Sequence, residues 1–175
     1  GVDKMLSDTD ANELGSLLLY GTEEAIPTFK QVLKTVDGRV PLLIELKGES
    51  LDSSLCEHVA KELNGYGGPF CIESFNPFLL RKMKQYLPDA VFGQLYTNVC
   101  RDKKKLNFLN TLLTLMAFNF VSRPDFIAYN KADRYSFPVK VTTKFYRAER
   151  FVWTVKGENE LEGAKKNGEY PIFEL

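Results

Sequence analysis

Histidine is almost absent. His58 is the only one in 175 residues, so chemistry that takes two histidines, one as acid and one as base, cannot be completed by this chain. Cysteine is scarce: Cys56, Cys71 and Cys100 are an odd number with no CxxC spacing. That excludes a disulfide framework or zinc cluster, and the expectation is buried free thiols in a reducing cytoplasm. An excess of one charge is missing too, since 23 basic and 23 acidic residues cancel. Nonspecific nucleic-acid binding and a strong overall attraction to anionic membranes both need a basic excess. Apolar runs such as Leu115 to Phe118 fall far short of the ~20 residues that span a bilayer, and the start shows no basic-plus-apolar leader. GxGxxG, GxxxxGK[ST] and GxSxG are all lacking, which removes nucleotide phosphate loops and serine-hydrolase elbows.

What is present is an ordinary globular composition, 44% hydrophobic and 13% aromatic, read as one domain over residues 1–175 with a real core. Short apolar runs alternate with amphipathic segments. Val40 to Lys47 reads as a strand after the turn Asp37-Gly38. Leu51 to Asn64 reads as a helix with Leu51, Leu55, Val59 and Leu63 on one stripe. Phe70 to Phe75 is the next strand, followed by a helix with Asn76 as N-cap and Pro77 at its first position. Val91 to Leu95 reads as a strand, Lys104 to Phe120 as a long helix and Phe126 to Asn130 as a strand. Pro138 to Arg147 reads as a helix against its Val and Thr content, Phe151 to Val155 as a strand, Asn159 to Lys166 as a helix and Tyr170 to Phe173 as a last strand. Residues 1–25 show no convincing strand. Strand–helix alternation of this kind predicts an α/β fold, a parallel sheet with helices outside. With six strands, beginning near 40, 70, 91, 126, 150 and 170, the chain falls about two units short of a TIM (β/α)8 barrel, which takes ~250 residues.

Side chains on a strand alternate between faces. Leu42, Ile44 and Leu46 therefore share one face and Leu43, Glu45 and Lys47 the other. In a barrel the first set packs on the helices and the second points inward, with Glu45 and Lys47 at the C-terminal end where such barrels carry their active sites. An inward carboxylate and ammonium either bind a ligand or hold each other as an internal ion pair; the spacing leaves both open. Glu45 suits Mg²⁺ or Ca²⁺, which take oxygen ligands, and Lys47 suits a phosphate oxygen. His58 stands off the apolar stripe of its helix, as a solvated residue does. Trp153 shares a strand face with Phe151 and Val155, as core or as an apolar wall beside a substrate. Ser74 and Gln94 lie near strand ends and can offer hydrogen bonds. The basic run Arg101 to Lys105 has no interleaved aromatics and reads as a solvated loop and helix start, not a nucleic-acid site.

In order along the chain, Ile26 to Leu33, Val40 to Lys47, Glu73-Ser74-Phe75-Asn76-Pro77, Gly93-Gln94-Leu95, Val152 to Val155 and Ile172-Phe173-Glu174 resemble the glycerophosphodiester phosphodiesterase family. The resemblance implies a TIM (β/α)8 barrel of the phosphodiesterase type, incomplete here at about six of eight strand–helix units. It also implies hydrolysis of a small-molecule phosphodiester to glycerol 3-phosphate and an alcohol with a divalent cation, Mg²⁺ or Ca²⁺. Glu45 matches a metal ligand and Lys47 the lysine that contacts phosphate; Ser74, Phe75, Gln94 and Trp153 match substrate-side positions. The family's His-Arg-Gly motif, its Glu-x-Asp metal pair and its His-Asp pair have no counterpart in the chain. The expectation is therefore that the sequence starts just past that front section, lacks the general acid/base histidines and is inactive alone. Two alternatives stand beside this reading: a catalytically dead barrel acting as a binding module, and a related phospholipase-type phosphodiesterase.

Overall fold

A computed structural model describes residues 4–5, 8–48, 54–102, 116 and 118–174. Six strands, β1 (Leu42–Glu45), β2 (Phe70–Ser74), β3 (Val91–Tyr96), β4 (Phe126–Asn130), β5 (Glu149–Lys156) and β6 (Tyr170–Glu174), form one sheet in sequence order. Every neighbouring pair is parallel. The sheet is open: among the described residues β1 and β6 have one strand neighbour each. It is an incomplete barrel. Strands are expected at six places in the sequence, and all six form.

Two helices precede β1, α1 (Ala11–Leu14) and α2 (Phe29–Val36); the others follow in turn between the strands, α3 (Ser54–Leu63), α4 (Pro77–Tyr86), α5 (Val99–Asp102), α6 (Asn119–Ser122), α7 (Phe137–Tyr146) and α8 (Gly157–Lys166). Local chemistry sets their ends. Thr28 and Gln31 form a capping box at the start of α2, and Asp37 closes it in the left-handed region at φ 48°. Asn76 accepts the Phe78 N–H at 3.0 Å and Pro77 opens α4. In α7 the Thr143 hydroxyl donates to the Val139 carbonyl at 2.8 Å, which satisfies a polar β-branched residue inside the helix. The helix expected over Lys104 to Phe120 lies, except for Met116 and residues 118–120, outside the described residues, as do Leu51 and residues 103–105 of the basic run.

Three apolar clusters hold the layers together. On the helix side of β1–β3, Leu46, Ile72 and Phe92 pack with Cys56, Leu63, Leu80 and Met83, joined by Leu42 and Ile44. On the helix side of β4 and β5, Ile127, Tyr129, Val152 and Val155 pack with Val139 and Ala164. The inner face, away from the helices, carries Leu95, Phe126 and Ala128 with Cys71, Phe151, Trp153 and Ile172. Gly93 leaves the space for this layer, since a Cβ there would stand 2.0 Å from the Phe126 ring.

Candidate functional site

β1 alternates as its sequence demands. Leu42, Ile44 and Leu46 join the helix-side core, which turns Glu45 to the inner face. Lys47 follows just past the strand end, its Nζ 3.4 Å from Glu45 Oε2. The lysine is exposed and the carboxylate half-exposed, so this ion pair lies open to water and contributes little to stability.

Glu45 is directly in register with Glu73 on β2, and parallel strands run about 4.8 Å apart. Two carboxylates therefore stand side by side on the inner face. Glu73 is buried, and its Oε2 has no hydrogen-bond partner. Burial, with the Glu45 charge beside it, pushes the Glu73 carboxyl up from 4.5 to about 7. Cys71, two residues earlier on the same face, is pushed up to about 11 by burial and by Glu73. A low-dielectric pair of acids with an orphaned oxygen attracts a cation.

The strand ends around this pair are tightly organised. Ser74 is buried; its hydroxyl donates to the Leu46 carbonyl at 2.7 Å and accepts the Asn76 N–H at 3.1 Å. Asn76 Nδ2 donates to the Gly48 carbonyl at 3.3 Å. These bonds fix the end of β1 against the end of β2, and they leave the Ser74 hydroxyl engaged with backbone. Gln94 uses Nε2 on the Ser74, Phe75 and Leu95 carbonyls, at 3.0, 3.1 and 3.2 Å, while its buried Oε1 has no partner. Phe75, 45% exposed, meets Trp153 edge to face with ring centroids 6.1 Å apart. The contact runs from the end of β2 to β5, across the inner side of β3 and β4. Trp153 Nε1 is buried and unpartnered. Beyond Phe75 and Gln94 a cavity of about 290 Å³ opens, walled by Leu95, Tyr96, Val99 and Phe118.

Of the residues expected from the sequence, Glu45 ends β1, Lys47 and Phe75 follow the ends of β1 and β2, and Gln94 lies within β3 near its end. Trp153 is mid-strand in β5 but level with Asn130 at the end of β4, and Ser74 is inside the backbone network that aligns the ends of β1 and β2. Glu73 was not among the expected ligands; the signal that finds it is its place in the register opposite Glu45. Among the described residues no group of three or more His, Cys, Asp or Glu comes together to hold a metal ion. Glu45 and Glu73 fit a divalent cation as two oxygen donors. His58 is exposed on α3 with Nδ1 2.7 Å from the Ser54 carbonyl, on the far side of the sheet from the acids. Arg101 grips the buried Asp133 at 2.6 and 3.1 Å.

No protein-family model and no curated protein matches the sequence. Solved structures do match the fold. A Galdieria sulphuraria protein described as a glycerophosphodiester phosphodiesterase superposes with TM-score 0.70 at 15% identity, over 96% of this chain and 67% of that one. The fold is that of the glycerophosphodiester phosphodiesterases. The glycerophosphodiester phosphodiesterase of Parabacteroides distasonis gives 0.65 at 17% identity, over 93% of this chain and 64% of that one. A phosphodiesterase of Oleispira antarctica, in complex with its product sn-glycerol 3-phosphate, gives 0.63 at 16%, over 85% of this chain and 57% of that one. The chain thus spans between about half and two thirds of these phosphodiesterase barrels. Among the described residues no helix is long and apolar enough to cross a membrane.

Proposed function

We propose that the protein belongs to the glycerophosphodiester phosphodiesterases and hydrolyses a small phosphodiester to glycerol 3-phosphate and an alcohol, using Mg²⁺ or Ca²⁺. The observation that carries this reading is the Glu45–Glu73 pair with Lys47 beside it, at the C-terminal strand ends of this fold. The two carboxylates would hold the cation, which supplies Lewis-acid polarisation of a phosphoryl oxygen. Lys47 neutralises a second phosphate oxygen. Phe75 and Trp153 exclude water from the inner side, and the cavity beyond them receives the alcohol portion.

Proton transfer is the part these side chains leave unfilled. The sole histidine sits on an outer helix, so the 175 residues by themselves bind the phosphate side without completing hydrolysis. That same observation favours a second reading, a binding module that never turns over, and an in-frame His-Arg-Gly segment encoded upstream would decide against it. The binding test is calorimetric titration of the chain with sn-glycerol 3-phosphate in the presence of Mg²⁺ or Ca²⁺. The wild type binds, Lys47→Met weakens binding about tenfold by removing one charge-assisted contact, and the chain alone releases no choline from glycerophosphocholine. Binding that is unchanged in Lys47→Met, or a dependence on the divalent cation that survives Glu45→Gln, contradicts the assignment.

A further inference from the structure

The outer surface of α7 has a feature that the inner-face site does not use. Phe137, Val141 and Phe145 recur every fourth residue, so they line one stripe about 12 Å long. All three are exposed, the two phenylalanines at 74% and 76%. Phe120 of α6, also exposed, stands across a cleft of about 270 Å³ that the three residues border. The opposite side of α7 is its packed side: Pro138, Val139 and Thr142 are buried. The helix thus presents a second, outward apolar face that nothing among the described residues covers, of the kind that marks an interaction surface.

Charge says what covers it. Lys140 and Lys144, both exposed, lie one turn apart beside the apolar stripe, and Arg147 follows at the helix end. From Tyr135 to Ala148 there is no acidic residue. The nearest acid before the helix, Asp133, is buried under the Arg101 guanidinium. The exposed charges along α7 itself are therefore basic, with large aromatics next to the lysines, and the first acid beyond the helix is Glu149 at the start of β5. This is the composition of a helix that lies in a lipid interface, rings among the acyl chains and ammonium groups at anionic headgroups. Tyr135, 71% exposed at the start of the helix, adds an aromatic ring suited to headgroup depth.

We propose that α7, with Phe120, docks the protein on a bilayer containing anionic phospholipid. The helix follows β4, so its first turn lies at the strand-end rim that carries Phe75 and Trp153, and docking brings that rim to the membrane surface. The proposal stands independently of the phosphodiesterase reading, because none of its residues belongs to the inner-face site.

The test is co-sedimentation of the 175-residue chain with vesicles of phosphatidylcholine alone and of phosphatidylcholine with phosphatidylglycerol. The chain pellets with the phosphatidylglycerol vesicles, and high salt reduces the bound fraction. Phe137→Ser/Phe145→Ser and Lys140→Glu/Lys144→Glu each lower the partition coefficient about tenfold or more. Circular dichroism of the variants matches the wild type, since all four side chains are exposed. Failure to bind phosphatidylglycerol vesicles overturns the proposal, and so does binding that the variants leave unchanged. Light scattering provides the remaining arm: a dimer in solution that becomes a monomer on Phe137→Ser/Phe145→Ser assigns the face to a second copy of the chain and overturns membrane docking.

Discussion

Glu73 shows what one buried acid costs and what it offers. Its carboxyl keeps a proton up to about 7 in the fold, against 4.5 for an ordinary glutamate. The folded chain thus binds a proton that the unfolded chain has released across that interval. The stabilisation is complete below 4.5 and is lost as pH rises through 7. The difference is worth about 3 kcal/mol, reduced to about 2 kcal/mol by water reaching the open face. Glu73→Gln, which keeps the shape and removes the charge, should raise stability by about that amount at pH 8 and change it little at pH 5. Urea unfolding at the two pH values measures this; an equal effect at both would show that the carboxylate is not the strained group. Glu45 was legible in the sequence because strand alternation alone sets its direction. Glu73 was not, since its importance depends on which residue of β1 stands opposite, and register is a tertiary fact. Ser74 shows the same limit: its strand-end position suggested a hydrogen bond to substrate, whereas its hydroxyl bonds two backbone groups.

Elements form here for reasons that are mostly local, which is why the six strands and the start of α4 are legible in apolar runs, Asn76 and Pro77. α2 is less evident in the sequence because the helix is eight residues long and buries Leu33 alone. α7 formed against its Val and Thr content because Thr142 and Val139 are buried. Packing between strands is less local, and Gly93 is the clearest case. The Phe126 ring lies over β3 where a methyl group would intrude at 2.0 Å. Gly93→Ala should therefore cost about 2 kcal/mol or more through displacement of the ring and its partner Phe151. Gly163→Ala, in α8 with open space around it, should instead stabilise by about 0.5 to 1 kcal/mol. Chemical denaturation of the two variants checks the contrast, and a neutral Gly93→Ala would mean that the inner layer is loosely packed.

At the scale of the whole molecule, the sheet is a curved wall with two free edges among the described residues. Buried polar ties brace its far end. Tyr129 on β4 donates to Glu169 at 2.6 Å, and Arg134 donates Nε to both Glu169 oxygens at 2.9 and 3.0 Å, which joins β4 to the loop ahead of β6. At the near end the Ser74 hydroxyl ties β2 to the end of β1, yet on the inner face the Glu45 and Glu73 carboxyls stand side by side and repel when both are charged. A cation bound to the folded chain and not to the unfolded one would stabilise the whole molecule by mass action, because it relieves that repulsion. The most direct measurement is the melting temperature at pH 8 with and without millimolar Mg²⁺ or Ca²⁺, for the wild type, Glu45→Gln and Glu73→Gln. The account predicts a rise for the wild type that is absent from both variants; an equal rise in all three, or none in the wild type, would contradict a cation site at the Glu45–Glu73 pair.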